Sequence, residues 1–541
     1  MKKKLNTKLI LIILLIIFLI FKVLLLLNSQ ESIDGDRAVE GIMAKHIMEG
    51  KALPFFMYGS HYCGSCALVA YFAAIPFSIF GVSSLSFKLV GVLFSIFFII
   101  TTYYFCRRFF NKKVAIFTVL LLSIPPLQFS ILNIKIPAYM FALTLNVLVI
   151  TLFYMIIFEK KSSLKYFVYF GLLSGIAYWS LEYIVAVLVI IFIFWFSYDK
   201  KFFLRKNFFV FLSSFFVAWI PIILYNLKNN FANIKQFLAG TIIHKIACKY
   251  NIISSQVQFG DRVVDSCKIF LTTRKSTSIS EFFGKVVPFI FGDSILSLIY
   301  YFIFIIAIIY LVYVNFHSIK KFLSSFISQK KLSVEEGKTI FLLLFVFVFI
   351  LLYFLSGFSN DSTHLMPLFP FLIVLIALFI SSLNQKKFYK LYLFILVVLV
   401  IISVFENTSF LFRADKERVD EIVAFLDEQD IEYVYASYDL KWKIIFKSKE
   451  NVIASCEGLC PCPRRYPLYE ELVKDKKAKA YIFRENVVLD QKFKNYLDKN
   501  KIAYKIETRN KANIYYSLDN EVKPYEAIEH CVDSDGKRVV V

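Results

Sequence analysis

Asp34 and Asp36 stand two residues apart in the segment Ser32-Ile-Asp-Gly-Asp-Arg-Ala-Val-Glu-Gly-Ile-Met-Ala-Lys-His-Ile-Met-Glu-Gly50. A carboxylate held at a cavity can take a proton from an attacking hydroxyl, which is general-base chemistry. A carboxylate at a helix start instead accepts from the first orphan N–H groups and meets the positive end of the dipole. Two aspartates allow both roles at once. From Asp36 onward Val39, Ile42, Met43 and Ile47 recur at helical spacing. That spacing predicts an amphipathic helix lying at a membrane interface. Other polar groups that could meet an anionic substrate are His46, Tyr58, His61, Lys135 and His364, with Glu182 as an isolated acid between apolar runs.

Composition shows what must position them. The chain has 541 residues, of which 58% are hydrophobic and 19% charged. A soluble domain averages about 45–50% apolar and about 25% charged residues. The mean hydropathy is +0.64, yet the formal net charge is +22. A soluble nucleic-acid binder could carry that charge, but not in long apolar runs, so a nucleic-acid partner is excluded. A bilayer span needs about 20 mainly apolar residues. Eleven such runs are read: 9–27, 88–106, 114–132, 137–158, 166–181, 183–198, 208–227, 288–314, 339–357, 367–383 and 389–408. The first is too long for a signal-peptide core and no small-residue cleavage site follows it. Ala67–Phe80 is apolar but short, and reads as interfacial or re-entrant.

Topology follows from the basic loops. Lys2–Lys8, Arg107–Lys113, Lys160–Lys165, Lys200–Lys206, Lys320–Lys338 and Lys386–Lys390 hold 23 of the 62 Lys and Arg residues. All six fall on one side, which the positive-inside rule makes cytoplasmic together with the N-terminus. Segments 28–87 and 228–287 and the tail from Ser409 then lie outside. The first of these is acidic, with five acids against three bases, whereas 228–287 has nine bases against three acids. The charge is mostly a topology signal, in a multi-pass plasma-membrane protein.

Eight of the nine cysteines fall outside and only Cys106 inside. An even outer set suits an oxidising compartment, with connectivity unreadable. Cys456, Cys460 and Cys462, with Cys531 or His530, offer zinc as an alternative to disulfides. Cys63-Gly-Ser-Cys66 mimics a redox CxxC but lacks the surrounding βαβ pattern. From about Asp415 the composition becomes that of a soluble domain. Helical periodicity over 415–429, 467–473 and 488–499 alternates with strand-like 431–436, 480–483, 503–506 and 513–517, which predicts a small α/β domain.

Residues 34–81 resemble the first outer loop of GT-C fold membrane glycosyltransferases, in particular prokaryotic members of the dolichyl-phosphate-mannose protein mannosyltransferase superfamily. The resemblance rests on Asp36, Ala38-Val39, Gly41, Met43-Ala44, His46-Ile47, Gly50, Phe55-Phe56, Tyr58-Gly59, Tyr62, Gly64-Ser65 and Phe80-Gly81. Arg37 stands where the family often has Glu, and Ser60 and Ala67 where it often has Gln and Glu. Gly175-Ile-Ala-Tyr-Trp179 with Glu182, Thr363-His-Leu-Met-Pro367 and Tyr438-Asp-Leu-Lys-Trp442 echo later family segments.

The resemblance implies an α-helical polytopic membrane protein of about eleven transmembrane helices, with interfacial helices in the first outer loop and a small C-terminal extracytoplasmic α/β domain. Residues 1–408 would form the catalytic module and 409–541 the soluble domain. It implies transfer of a sugar from a polyprenyl-phosphate donor, in the lipid membrane, to a hydroxyl on a protein, lipid or glycan. Asp36 would be the general base with Asp34 as support. Glu182, His61, Tyr58, His46, His364 and Lys135 would bind substrate, and no metal or other cofactor is indicated. A transporter or lipid flippase and a glycan-polymer ligase are the competing classes.

Overall fold

The computed structural model describes residues 7–28, 33–239, 256–259, 262–265, 295–326, 333–355, 362–383, 389–413, 418–459, 462–476 and 479–524. Within these residues the chain divides into two compact units. One comprises Met1–Leu25, Gly91–Ile253 and Leu271–Arg413. The other joins Leu26–Val90 to Ser254–Phe270 and the tail Ala414–Val541.

The first unit is helical and apolar. It takes in most of α1 (Thr7–Asn28) and of α4 (Ser84–Phe109), then α5 (Lys112–Ser123), α6 (Leu127–Lys135), α7 (Pro137–Ile157), α8 (Leu164–Ser180), α9 (Ile184–Tyr198), α10 (Lys206–Lys228) and α11 (Ala232–Ala239). It continues with α12 (Ile295–Val314), α13 (Phe316–Ser325), α14 (Val334–Leu355), α15 (Phe369–Leu383) and α16 (Tyr389–Arg413). Among the described residues seven helices are long and apolar enough to cross a membrane, or nine if two bent pairs each count as one span. The expected span 114–132 is one of these pairs, α5 and α6, bent by 74°. Pro125 and Pro126 break it, because proline removes a helical donor and clashes with the preceding turn. The Asn407 side-chain amide donates to the Pro125 carbonyl at 3.0 Å, satisfying part of the break. The run 288–314 is the other: α12 meets α13 at a 68° bend, and 288–294 lie outside the described residues. Expected spans 166–181 and 183–198 form the shorter helices α8 and α9.

Glycine brings α8 onto α10. A Cβ at Gly171 would stand 2.3 Å from the Phe211 carbonyl oxygen, and one at Gly175 would stand 2.7 Å from that of Phe215. Small residues four apart let membrane helices approach to backbone contact, which supplies the packing that hydrophobicity cannot in lipid.

The second unit contains α2 (Gly35–Met48), α3 (Gly64–Phe80), and a hairpin of β1 (Gln256–Phe259) and β2 (Arg262–Asp265). The tail runs α17 (Val419–Glu428), β3 (Tyr433–Ala436), α18 (Tyr438–Lys447), β4 (Ile453–Ser455), α19 (Pro467–Lys476), β5 (Ala480–Arg484), α20 (Val488–Lys499), β6 (Lys505–Arg509) and β7 (Ala512–Tyr516). Its sheet has the order β4-β3-β5-β7-β6, with β4, β3 and β5 parallel and β7 antiparallel to both neighbours. Helix α18 and strand β4 are the elements sequence periodicity passed over. Both are short and largely buried. Helix α2 packs between α3 and α18. Two of its glycines permit this: a Cβ at Gly41 would fall 2.4 Å from the Phe446 ring, and one at Gly35 would fall 3.2 Å from the Asp439 Cα.

Candidate active site

The two aspartates have different surroundings. Asp34 is the N-cap of α2, in extended backbone, and its Oδ1 accepts from the Arg37 backbone N–H at 2.9 Å. Asp36 lies in the first turn and turns to the tail. Its Oδ1 accepts from the Tyr438 hydroxyl at 2.7 Å and from Arg465 Nη2 at 3.2 Å. Arg465 Nε also donates to the Tyr438 hydroxyl at 3.0 Å, closing a three-membered network. Among the described residues no hydrogen bond reaches Asp36 Oδ2, and the side chain is 41% exposed. One carboxylate oxygen is therefore fixed while the other is open.

Burial pushes the Tyr438 hydroxyl above its usual range, with Asp36 adding to the effect, so it stays a protonated donor. Arg465 is held above its ordinary value: burial alone would lower it, but Tyr438 and Asp36 outweigh that. Arg465 reaches this position because its loop is fixed twice. Cys456 and Cys462 form a disulfide across the loop. Gly59, at φ +60°, sits so close beneath it that a Cβ would stand 2.2 Å from the Arg464 carbonyl oxygen and 2.5 Å from the Arg465 Cα. The resemblance singled out Gly59; its physical role is to admit this backbone.

The start of α2 is also anchored. The Gly35 N–H donates to Asp439 Oδ1 at 2.9 Å, and Asp439 Oδ2 accepts from Lys443 at 2.6 Å and Arg484 at 3.0 Å. Arg37 pairs with Glu40, which is fully buried. Burial pushes the Glu40 carboxyl up to about 8 despite the opposing Arg37 charge.

His46 and Tyr58 lie in one buried cluster. His46 Nδ1 is 3.0 Å from the Tyr58 hydroxyl, and Nε2 is 3.0 Å from Glu450 Oε1. Lys45 and the Tyr469 hydroxyl also donate to Glu450. Burial alone would raise the Glu450 carboxyl, but the donors His46, Lys45 and Tyr469 hold it down to about 2. Tyr58 stacks on Tyr466, with centroids 5.1 Å apart. Both ring nitrogens of His46 are thus engaged within the protein. His61 is partly exposed ahead of α3, and burial lowers its imidazole below the ordinary value.

The remaining candidates lie in the helical unit. His364, on a 3₁₀ turn over Ser362–Leu368, hydrogen-bonds through Nδ1 to the Tyr183 hydroxyl. That hydroxyl lies 3.3 Å from the Tyr139 hydroxyl. Glu182, next to Tyr183, accepts from Asn233 at 3.5 Å. The fold thus brings the turn carrying Glu182 to His364, through a tyrosine that sequence reasoning missed. Lys135 is exposed at the end of α6. Sequence reasoning also missed Arg465, although two arginines beside a Cys/Pro-rich loop were a readable signal, and named Tyr438 only within a family-like segment.

Cys63 and Cys66 are joined by a disulfide, with Cys63 at φ +64° ahead of α3. Of the alternatives for the tail cysteines, the structure holds Cys456 and Cys462 as a disulfide rather than as thiolates able to ligate zinc. Cys460, Cys531 and His530 lie outside the described residues, as do Cys248, Cys267 and most of 228–287.

The family model described as dolichyl-phosphate-mannose-protein mannosyltransferase matches residues 66–225. Among curated proteins none matches the sequence significantly. Solved structures do match the fold. ArnT from Cupriavidus metallidurans, bound to undecaprenyl phosphate, superposes with a TM-score of 0.59 at 10% identity, over 94% of this chain and 98% of that one. The archaeal oligosaccharyltransferase AglB from Archaeoglobus fulgidus, in complex with an inhibitory peptide and a dolichol-phosphate, gives a TM-score of 0.54 at 14% identity, over 97% and 77%. Residues 66–225 thus resemble the dolichyl-phosphate-mannose-protein mannosyltransferases, and the chain, with several helices long and apolar enough to cross a membrane, shares the fold of ArnT and AglB.

Proposed function

We propose that this chain transfers a sugar from a polyprenyl-phosphate donor to an acceptor hydroxyl on the extracytoplasmic face, with Asp36 as general base. The observation that carries the assignment is the asymmetry of Asp36: Oδ1 is held by Tyr438 and Arg465, while Oδ2 is open on a partly exposed side chain. The acceptor oxygen attacks the anomeric carbon. Its proton passes to Asp36, and the carbon–phosphate-oxygen bond breaks with the electron pair leaving on the lipid phosphate. Fixing one oxygen sets the direction of the other, and orientation is a large part of what an enzyme supplies. Asp34, committed to the helix cap, supports the position of α2 and does not take the proton.

The leaving phosphate needs hydrogen-bond or cationic partners as its charge develops. Of the side chains the resemblance implies for that task, His61 lies in the same unit as Asp36. His46 and Tyr58 serve by fixing α2. A lipid-linked donor is supported by the undecaprenyl phosphate of ArnT and the dolichol-phosphate of AglB, each a ligand of that protein. The extracytoplasmic assignment rests on the positive-inside pattern. It is supported by the first loop and the tail packing in one unit, which requires them to share a side.

AglB is an oligosaccharyltransferase, so a donor carrying an oligosaccharide is the second reading. The test is to incubate the purified protein with polyprenyl-phosphate monosaccharides and with lipid-linked oligosaccharides, following the lipid product by mass spectrometry. Monosaccharide transfer with release of polyprenyl phosphate supports the proposal. Turnover of the oligosaccharide alone decides for the second reading, and no turnover of either refutes both.

A further inference from the structure

Helix α13 leaves α12 at a bend of 68°. A helix that turns so sharply off a membrane-crossing helix runs along the bilayer surface. One face of α13 is packed, with Ser318, Phe322 and Ser325 buried. There Phe322 stacks on Phe194 of α9, centroids 5.6 Å apart, and the Ser318 hydroxyl donates to Glu336 at 2.6 Å. The opposite face is open. Phe316 and Leu323, seven residues apart and so on one stripe, are 54% and 59% exposed. Lys320 stands on the same stripe between them, exposed, with its ammonium 4.6 Å from the Phe316 ring centroid. The turn Lys200–Leu204 lies beside α13, since Lys200 Nζ donates to the Phe326 carbonyl at 2.6 Å. Its Leu204 is 82% exposed.

Continuity and charge decide what covers this face. Tyr313 and Val314, the last residues of α12, are exposed as well, so the apolar surface of a membrane-crossing helix runs on into α13. The segment Lys320–Lys338 carries five lysines against two glutamates, and Lys200–Lys206 carries four bases and no acid. Both glutamates and the adjoining Asp199 are paired within the protein: Glu335 with Lys338 at 2.7 Å, Glu336 with Lys321 at 3.6 Å and Asp199 with Arg205 at 2.8 Å. Lysine is depleted where proteins bury surface against one another. Lysines beside exposed aromatic and aliphatic side chains instead suit a helix lying among anionic lipid headgroups.

We propose that α13 and the Lys200–Leu204 turn form a docking surface for anionic phospholipid, on the side that the positive-inside pattern makes cytoplasmic. Phe316 and Leu323 enter the boundary between headgroups and acyl chains, and Lys320 meets a lipid phosphate. The proposal does not depend on Asp36 as the base. Full-length protein carrying Leu323→benzoylphenylalanine, in phosphatidylcholine nanodiscs doped with phosphatidylglycerol, is irradiated and its adducts are identified by mass spectrometry. We expect lipid adducts, with phosphatidylglycerol about tenfold over its share of the membrane. One lysine at an anionic surface is worth about fivefold, so Lys320→Gln should lower that excess to about twofold, whereas Lys320→Arg should keep it. Lipid adducts in simple proportion to composition, an excess unchanged in Lys320→Gln, cross-links between two copies of the chain, or no adduct at all would each overturn the proposal.

Discussion

Arg465 Nη2 lies 3.2 Å from Asp36 Oδ1, although the two residues are 429 positions apart. Helix α2 supplies the carboxylate and the tail supplies the groups that orient it. Tyr438 completes the arrangement by touching both.

Tyr438 is therefore a positioning residue. Tyr438→Phe removes the 2.7 Å bond to Asp36 and leaves the aromatic ring in place. We expect kcat to fall about tenfold with the KM for the lipid donor little changed, since orientation and not binding is lost. A rise in KM at constant kcat would show that Tyr438 binds donor instead.

Gly59 and Gly50 form a controlled pair. Both have positive φ, +60° and +70°, but only Gly59 faces backbone at contact distance. Gly50→Ala should cost the left-handed strain alone, about 1–2 kcal/mol. Gly59→Ala adds overpacking against Arg464 and Arg465, a further 1–3 kcal/mol or so, and should reduce transfer by shifting Arg465. Thermal unfolding in detergent compares them; equal losses would mean that the loop yields freely.

Glu450 contributes to the expected acid stability. Its carboxyl is depressed to about 2 in the folded chain, so its contribution is complete above the ordinary carboxylate range and is lost as pH falls toward 2. Glu450→Gln should destabilise the protein at pH 7 and flatten the loss of stability between about pH 5 and 2. Glu40 has the opposite sign. Its carboxyl is raised to about 8, so the folded state holds the proton longer, and stability falls as pH rises from the ordinary carboxylate range to about 8. Glu40→Gln should remove that slope, read from denaturant midpoints across the range. An unchanged slope in either variant would place the titration elsewhere.

Much of the fold was legible in sequence because membrane spans and amphipathic helices are periodic or length-coded signals. The bend at Pro125-Pro126 was also written in the chain, but hidden within an apolar run of spanning length. The pairing of Asp36 with Tyr438 and Arg465 was not legible, because it depends on tertiary contact between distant segments. In the structure Asp34 and Asp36 are separated by the N-cap bond of Asp34 to the Arg37 N–H and by the bonds of Asp36 to Tyr438 and Arg465.

The most direct measurement compares Asp36→Asn with Asp34→Asn for sugar transfer from a polyprenyl-phosphate donor in the full-length protein. Loss of a general base predicts a fall of roughly 10²–10⁴-fold in kcat for Asp36→Asn. Asparagine caps a helix about as well as aspartate, so Asp34→Asn should stay close to wild type. Wild-type turnover by Asp36→Asn, or a large loss confined to Asp34→Asn, would contradict the assignment of Asp36 as the base.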